Sequence, residues 1–85
     1  MLKSNTIRIN CPIYCMSCYQ TVNLIACGCE DGSIRIFDQL SGRIIISLKA
    51  HSQAVRSISY SPDNKLLASG SFDNSIRIWD ANEFK

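Results

Sequence analysis

ACGCEDGSIRIFD, residues 26–38, and ASGSFDNSIRIWD, residues 68–80, align without a gap. Eight of the thirteen positions are identical and two more exchange Cys for Ser, with Asp31 falling on Asp73 at an offset of 42 residues. A fixed internal period marks a repeat architecture, in which each unit buries its apolar face on the next. At the same offset Ile13, Met16 and Cys18 fall on Val55, Ile58 and Tyr60, and Leu24 and Ile25 on Leu66 and Leu67. One register therefore covers most of both units.

Within each unit the pattern is that of short strands. Ile34 and Ile36 alternate with Ser33 and Arg35, as Ile76 and Ile78 do with Ser75 and Arg77, the period of two expected of a sheet with one drier face. Ser61-Pro62-Asp63-Asn64 is a turn cluster, and Asp31-Gly32 and Asp73-Asn74 supply residues that tolerate positive φ in tight hairpins. These signals predict strands at 13–18, 24–28, 33–37, 43–48, 54–60, 65–70 and 75–79, and no helix.

Composition bounds the function. Nearly half of the 85 residues are apolar and 19% are charged, which is globular rather than disordered. The net charge of +2 comes from basic residues scattered along the chain, so nothing predicts a nucleic-acid footprint. No apolar run is long enough to span a bilayer and MLKSNTIRIN lacks the apolar centre of a signal peptide, so no membrane role is expected and the cytoplasm or nucleus is the expected compartment. The five cysteines then read as reduced thiols.

His51, the run Tyr60-Ser61-Pro62-Asp63, the run from Leu67 to Ser71, Asp73 and Ile76-Arg77-Ile78-Trp79-Asp80 together resemble the WD-repeat family. Ala50 stands where the family usually has the Gly of a Gly-His pair. The first unit is a degenerate copy, with Phe37 for Trp and Ile9 in the place of His, although Asp31 and Asp38 are kept. The resemblance implies an all-β fold of two consecutive antiparallel four-stranded-type blades of an incomplete β-propeller, the second lacking its outer strand. Residues 1–10 read as an N-terminal strand suited to closing a propeller, 11–49 as the first repeat and 50–85 as the second. A non-catalytic scaffold for protein–protein interaction is the implied function. The two units are also similar to those of the WD-repeat targeting subunits of cytosolic iron–sulfur protein assembly, a narrower alternative.

A Ser, a His and an Asp in one unit invite comparison with nucleophilic catalysis. The resemblance instead implies that His51, Ser69, Asp73 and Trp79 form a buried structural chain from indole to hydroxyl to imidazole to carboxylate, with no catalytic residue and no cofactor. Cys15, Cys18, Cys27 and Cys29 have spacings that zinc sites use, and a small cysteine-ligated metal protein is the alternative of another class. The register opposes it, because Cys15, Cys27 and Cys29 align with Ser57, Ser69 and Ser71, and no metal is expected. The resemblance places partner-binding residues at Pro12, Tyr14 and Glu30 of the first blade and Ala54, Arg56 and Phe72 of the second. Tyr, Arg and Phe are common interface anchors. Phe72 could alternatively pack on the neighbouring blade.

Propellers close with four to eight blades. Two blades leave both outer faces wet and the 75–79 strand without an outer neighbour, so partners are expected to be the remaining blades and other proteins, and the isolated chain is expected to associate with itself.

Overall fold

The computed structural model describes residues 6–19 and 23–84. Seven strands follow one another: β1 (Ile13–Tyr19), β2 (Leu24–Cys29), β3 (Ser33–Asp38), β4 (Ile44–Lys49), β5 (Val55–Tyr60), β6 (Leu66–Ser71) and β7 (Ile76–Asp80). Each bound lies within one residue of the sequence expectation. Every neighbour pairing is antiparallel, and the strands form one sheet in the order β1-β2-β3-β4 and a second in the order β5-β6-β7. Described residues form no helix, and none is long and apolar enough to cross a membrane.

The turns are made by the residues that the sequence marked. Gly32 has φ +87°, Asn74 +69° and Asn64 +60°. Asp38 and Asp80 close the third strand of each unit and cap the following turn with one carboxylate oxygen, Asp38 accepting from the backbone of Leu40 and Ser41 and Asp80 from that of Asn82 and Glu83.

Because alternate residues of a strand point to opposite faces, pairing fixes which side chains share a face. Cys15, Gly28, Ile34 and Leu48 are cross-strand neighbours in the first sheet, as are Ser17, Ala26, Ile36 and Ile46. This face packs on the second sheet. Ala26, Ile34 and Ile36 join Val55, Ile58, Tyr60 and Leu67 in one buried cluster. The backbone of Tyr60 donates to Ser17 Oγ at 3.2 Å and the Cys15 thiol to the Val55 carbonyl at 3.6 Å. Gly28 permits this approach, since a Cβ there would lie 2.6 Å from Val55 Cγ1.

The outer faces remain open. On the first sheet the open face carries Ile13 and Met16, and on the second Ile76 and Ile78, all exposed. Residues 1–5 of the expected N-terminal strand lie outside the described residues. Thr6 to Ile9 pair with no strand, and Ile7 and Ile9 instead rim a hollow on the first sheet's open face. In the repeat register Thr6–Ile9 is the counterpart of Leu48–His51, which carries the end of β4, the outer strand of the first sheet.

Candidate functional site

Two clusters result from this arrangement, one buried and one on the surface. The buried one ties the second sheet to the segment before it. Asp73, in the β6–β7 turn, accepts from the backbone of Ser75 at 2.9 Å and that of Ser52 at 3.1 Å, and from the Ser75 hydroxyl at 2.5 Å. The Ser75 hydroxyl, more than any other neighbour, holds the Asp73 carboxyl well below the usual carboxylate range, and burial opposes it. An ionised carboxylate only accepts, so His51 Nδ1, 3.2 Å from Asp73 Oδ2, carries the proton. His51 Nε2 is left to accept from Ser69 Oγ at 2.8 Å, and Ser69 in turn accepts from the Trp79 indole at 3.3 Å.

The structure thus brings His51, Ser69, Asp73 and Trp79 into one directed chain. It adds Ser75, whose hydroxyl also lies 3.0 Å from His51 Nδ1. Sequence reasoning missed Ser75, although the signal was present: Ser33 and Ser75 stand at the same repeat position, two residues after an Asp. Ser33 makes the same bonds to Asp31, at 2.9 Å from the backbone and 2.5 Å from the hydroxyl, and lowers its pKa. In the first unit Ile9, Cys27 and Phe37 occupy the places of His51, Ser69 and Trp79, and Asp31 pairs with Arg35 at 3.2 Å.

Ser69 and His51 have the spacing of a nucleophile and its base, but Ser69 is 1% exposed and its oxygen already receives the indole proton. A nucleophile needs a path for substrate and donors for the developing oxyanion. The Ser69 hydroxyl is instead held between the His51 imidazole and the Trp79 indole.

The surface cluster has a backbone cause that sequence reasoning did not anticipate. The β1–β2 register shifts between Ile13 and Cys15 and the β5–β6 register between Val55 and Ser57, so Tyr14 and Arg56 sit at bulges in matching positions. A bulge turns its extra residue away from the ladder. Glu30 and Phe72 occupy matching hairpin tips, tied by their backbone N–H to the Pro12 carbonyl at 2.9 Å and the Ala54 carbonyl at 3.2 Å. Tyr14 then donates to Glu30 Oε2 at 3.3 Å and meets Phe72 edge-on, with ring centroids 6.4 Å apart. The Arg56 guanidinium lies 5.7 Å from the Phe72 ring centroid. Glu30, Tyr14, Phe72 and Arg56 therefore form one band across both sheets. Phe72 does touch the neighbouring sheet through Tyr14, yet half of it stays exposed.

The four thiols that the spacing suggested as ligands do not converge among the described residues. Those that approach are Cys11, Cys29 and Asp31, with ligand atoms within 4.8 Å of one another. Burial, followed by the Cys11 thiol, pushes the Cys29 thiol up to about 12, and burial also raises Cys15 and Cys27.

The family model for the WD domain, G-beta repeat, matches residues 3–38 and 42–80. These bounds run one strand ahead of the sheets, since the second match begins with β4, which belongs to the first sheet. The nuclear distribution protein nudF of Aspergillus flavus is 39% identical over 80 residues, covering 92% of this chain and 17% of that protein. The solved structure of U3-55K superposes with a TM-score of 0.87 at 28% identity, over 93% of this chain and 26% of that one. A chain of the solved mitotic checkpoint complex gives 0.76 at 30% identity, over 84% and 22%. This chain spans between 3% and 17% of the length of the curated relatives it matches. These matches give no support to the narrower iron–sulfur likeness or to a metal-binding protein.

Proposed function

The chain belongs to the WD domain, G-beta repeat family, and we propose that it serves as a non-catalytic protein-interaction scaffold whose partner docks on the band of Glu30, Tyr14, Phe72 and Arg56. The observation that carries this reading is the continuity of the band. Two bulges and two hairpin tips deliver an acid, two half-exposed rings and a guanidinium to one surface, and exposed aromatic and Arg side chains clustered in this way are typical interface anchors. Membership of one similar chain in the mitotic checkpoint complex agrees with a role in assembly. The burial of Ser69 supports the absence of catalysis. Five unpaired cysteines are compatible with the cytoplasm or nucleus.

Affinity purification with quantitative mass spectrometry tests the proposal, comparing the chain with a Phe72→Ser/Arg56→Ser form of unchanged circular dichroism. Loss of the same partners in independent preparations is expected. An unchanged partner set, or hydrolysis of activated esters that disappears in Ser69→Ala, would overturn it.

A further inference from the structure

Cys29 ends β2 and Cys11 lies just ahead of β1, so the two stand together at the open end of the first hairpin. Their sulfurs are within 4.8 Å of each other. Backbone pairing fixes this approach, since Ile13 is the partner of Cys29 and the Glu30 N–H donates to the Pro12 carbonyl at 2.9 Å. The second sheet shows independently where a side chain at this position is directed. There the counterpart of Cys29 is Ser71, whose hydroxyl donates to the carbonyls of Gln53 and Ala54 at 3.1 and 2.8 Å, and Gln53 is the counterpart of Cys11. Because a Gln and a Ser satisfy the same turn in the second unit, the fold itself does not demand sulfur at either place.

The other thiols are placed differently. Cys15 faces the second sheet and donates to the Val55 carbonyl, and Cys18 pairs with Ile25, toward the other end of β2 from Cys29. Cys27 lines the hollow beside Phe37. Cys11 and Cys29 also differ from each other in access, for Cys29 is 0% exposed and Cys11 is partly exposed. That access belongs to the position, because Gln53 is exposed although the first sheet packs beside its strand.

We propose that Cys11 and Cys29 form an oxidation site, a thiol pair that hydrogen peroxide converts to a disulfide within the chain, clasping the start of β1 to the end of β2. Peroxide meets the partly exposed Cys11 first. The Cys11 sulfur attacks one peroxide oxygen, the O–O bond breaks, and a sulfenic acid and one water result. The Cys29 sulfur then attacks the Cys11 sulfur, the S–O bond breaks, and the departing hydroxide takes the Cys29 proton and leaves as a second water. Together the thiols lose two electrons, which the peroxide gains. Burial raises the Cys29 thiol, so Cys29 reacts second, where nearness to the sulfenic sulfur offsets its small thiolate fraction. The sulfurs have to close from within 4.8 Å to a bond of about 2.05 Å. Cys11 precedes the strand ladder, so its side chain and segment supply that movement. Exchange with a small thiol returns both cysteines to the reduced state.

Mass spectrometry of the full chain after brief treatment with hydrogen peroxide tests this. Cleavage after Arg8, Tyr14, Leu24 and Arg35 separates Cys11, in residues 9–14, from Cys27 and Cys29, in residues 25–35. In the wild type the two fragments are expected to be joined within one chain and to be released by dithiothreitol. Cys27→Ser is expected to keep the link. Cys29→Ser is expected to lose it and to leave a sulfenic acid on Cys11 that dimedone traps; Ser71 shows that serine fits this position, and circular dichroism checks the fold. In Cys11→Ser the buried Cys29 is expected to stay reduced. Unlinked fragments in the wild type, a link that survives Cys29→Ser or disappears in Cys27→Ser, no trapped sulfenic acid, or a bridge between two chains would overturn the proposal.

Discussion

Gly32 and His51 are locked together through their backbones. The His51 N–H donates to the Gly32 carbonyl at 2.9 Å, and a Cβ on Gly32 would fall 2.1 Å from the His51 carbonyl oxygen. The segment joining the sheets thus rests on the turn of the first sheet before entering the second. Gly32→Ala has to strain a φ of +87° and displace backbone rather than a side-chain tip. Each effect costs about 1–3 kcal/mol. A loss of at least about 2 kcal/mol in urea unfolding of the full chain is expected, and an unchanged midpoint would show that the joining segment does not depend on this contact.

The buried chain from Trp79 to Asp73 predicts unequal and coupled losses. His51→Ala leaves the Ser69 proton without an acceptor in a site 1% exposed, at about 1–3 kcal/mol. Trp79→Ala removes both a donor and a large ring. Because Trp79 is only partly buried, its cost falls toward the lower end of the roughly 3–5 kcal/mol typical of such truncations. The network itself is tested by His51→Ala in a Ser69→Ala background, where the loss is expected to shrink. Full additivity in thermal melts would contradict a shared hydrogen-bond chain.

Asp73 sets the response to acid. Its pKa is lower in the folded chain than the value of about 3.9 in an unfolded one, first through the Ser75 hydroxyl. A depressed carboxylate contributes stability that is fully present above the unfolded value and is lost as pH falls through the folded one. Asp31 and Asp63 are lowered in the same sense by Ser33 and Ser61. Urea midpoints are therefore expected to hold steady from neutral pH to about 5 and to fall below about 4. In Asp73→Asn the acid limb becomes shallower, and a limb of unchanged steepness would remove Asp73 from the account.

The seven strands were legible because period-two alternation and turn residues are local signals, and the repeat confirmed each unit against the other. His51, Ser69, Asp73 and Trp79 were legible only through family resemblance, since nothing in their spacing says that an imidazole returns to a turn 22 residues later. Tyr14 and Arg56 were placed on the surface in the same way, but the bulges that put them there leave no mark in the residues themselves. The approach of Gly32 to His51 and of Cys11 to Cys29 depends on how the segments cross in space. Sequence spacing consequently pointed to a different set of thiols.

Cys11, Cys29 and Asp31 lie close enough to raise the question of a metal, and their surroundings argue against one. Metal binding releases the thiol proton, and burial, which raises the Cys29 thiol to about 12, makes that release costlier here than at an exposed cysteine. The Asp31 carboxylate is already taken up by Ser33 and Arg35. Three donors also fall short of a closed four-coordinate site. Purification without chelator is expected to give well below one zinc per chain by elemental analysis. About one per chain, abolished by Cys29→Ser, would refute this.

Gly28 and Gly70 occupy the same repeat position in opposite surroundings, and replacing each by alanine separates the face pressed between the sheets from the open one. A Cβ at Gly28 would lie 2.5 Å from Cys15 Sγ and 2.6 Å from Val55 Cγ1. Val55 is β-branched, 0% exposed and fixed in β5, so it cannot turn aside, and the two sheets have to separate. Overpacking of this kind costs about 1–3 kcal/mol. At Gly70 the atom met is Ser57 Oγ at 2.9 Å, a small side chain on the open face with room to move. Gly70→Ala is therefore expected to leave the unfolding midpoint of a dilute, dissociated chain within about 0.5 kcal/mol of wild type, while Gly28→Ala lowers it. Equal losses of monomer stability for the two substitutions, measured by urea titration below the association range, would show that the repeat positions are not in the different environments described.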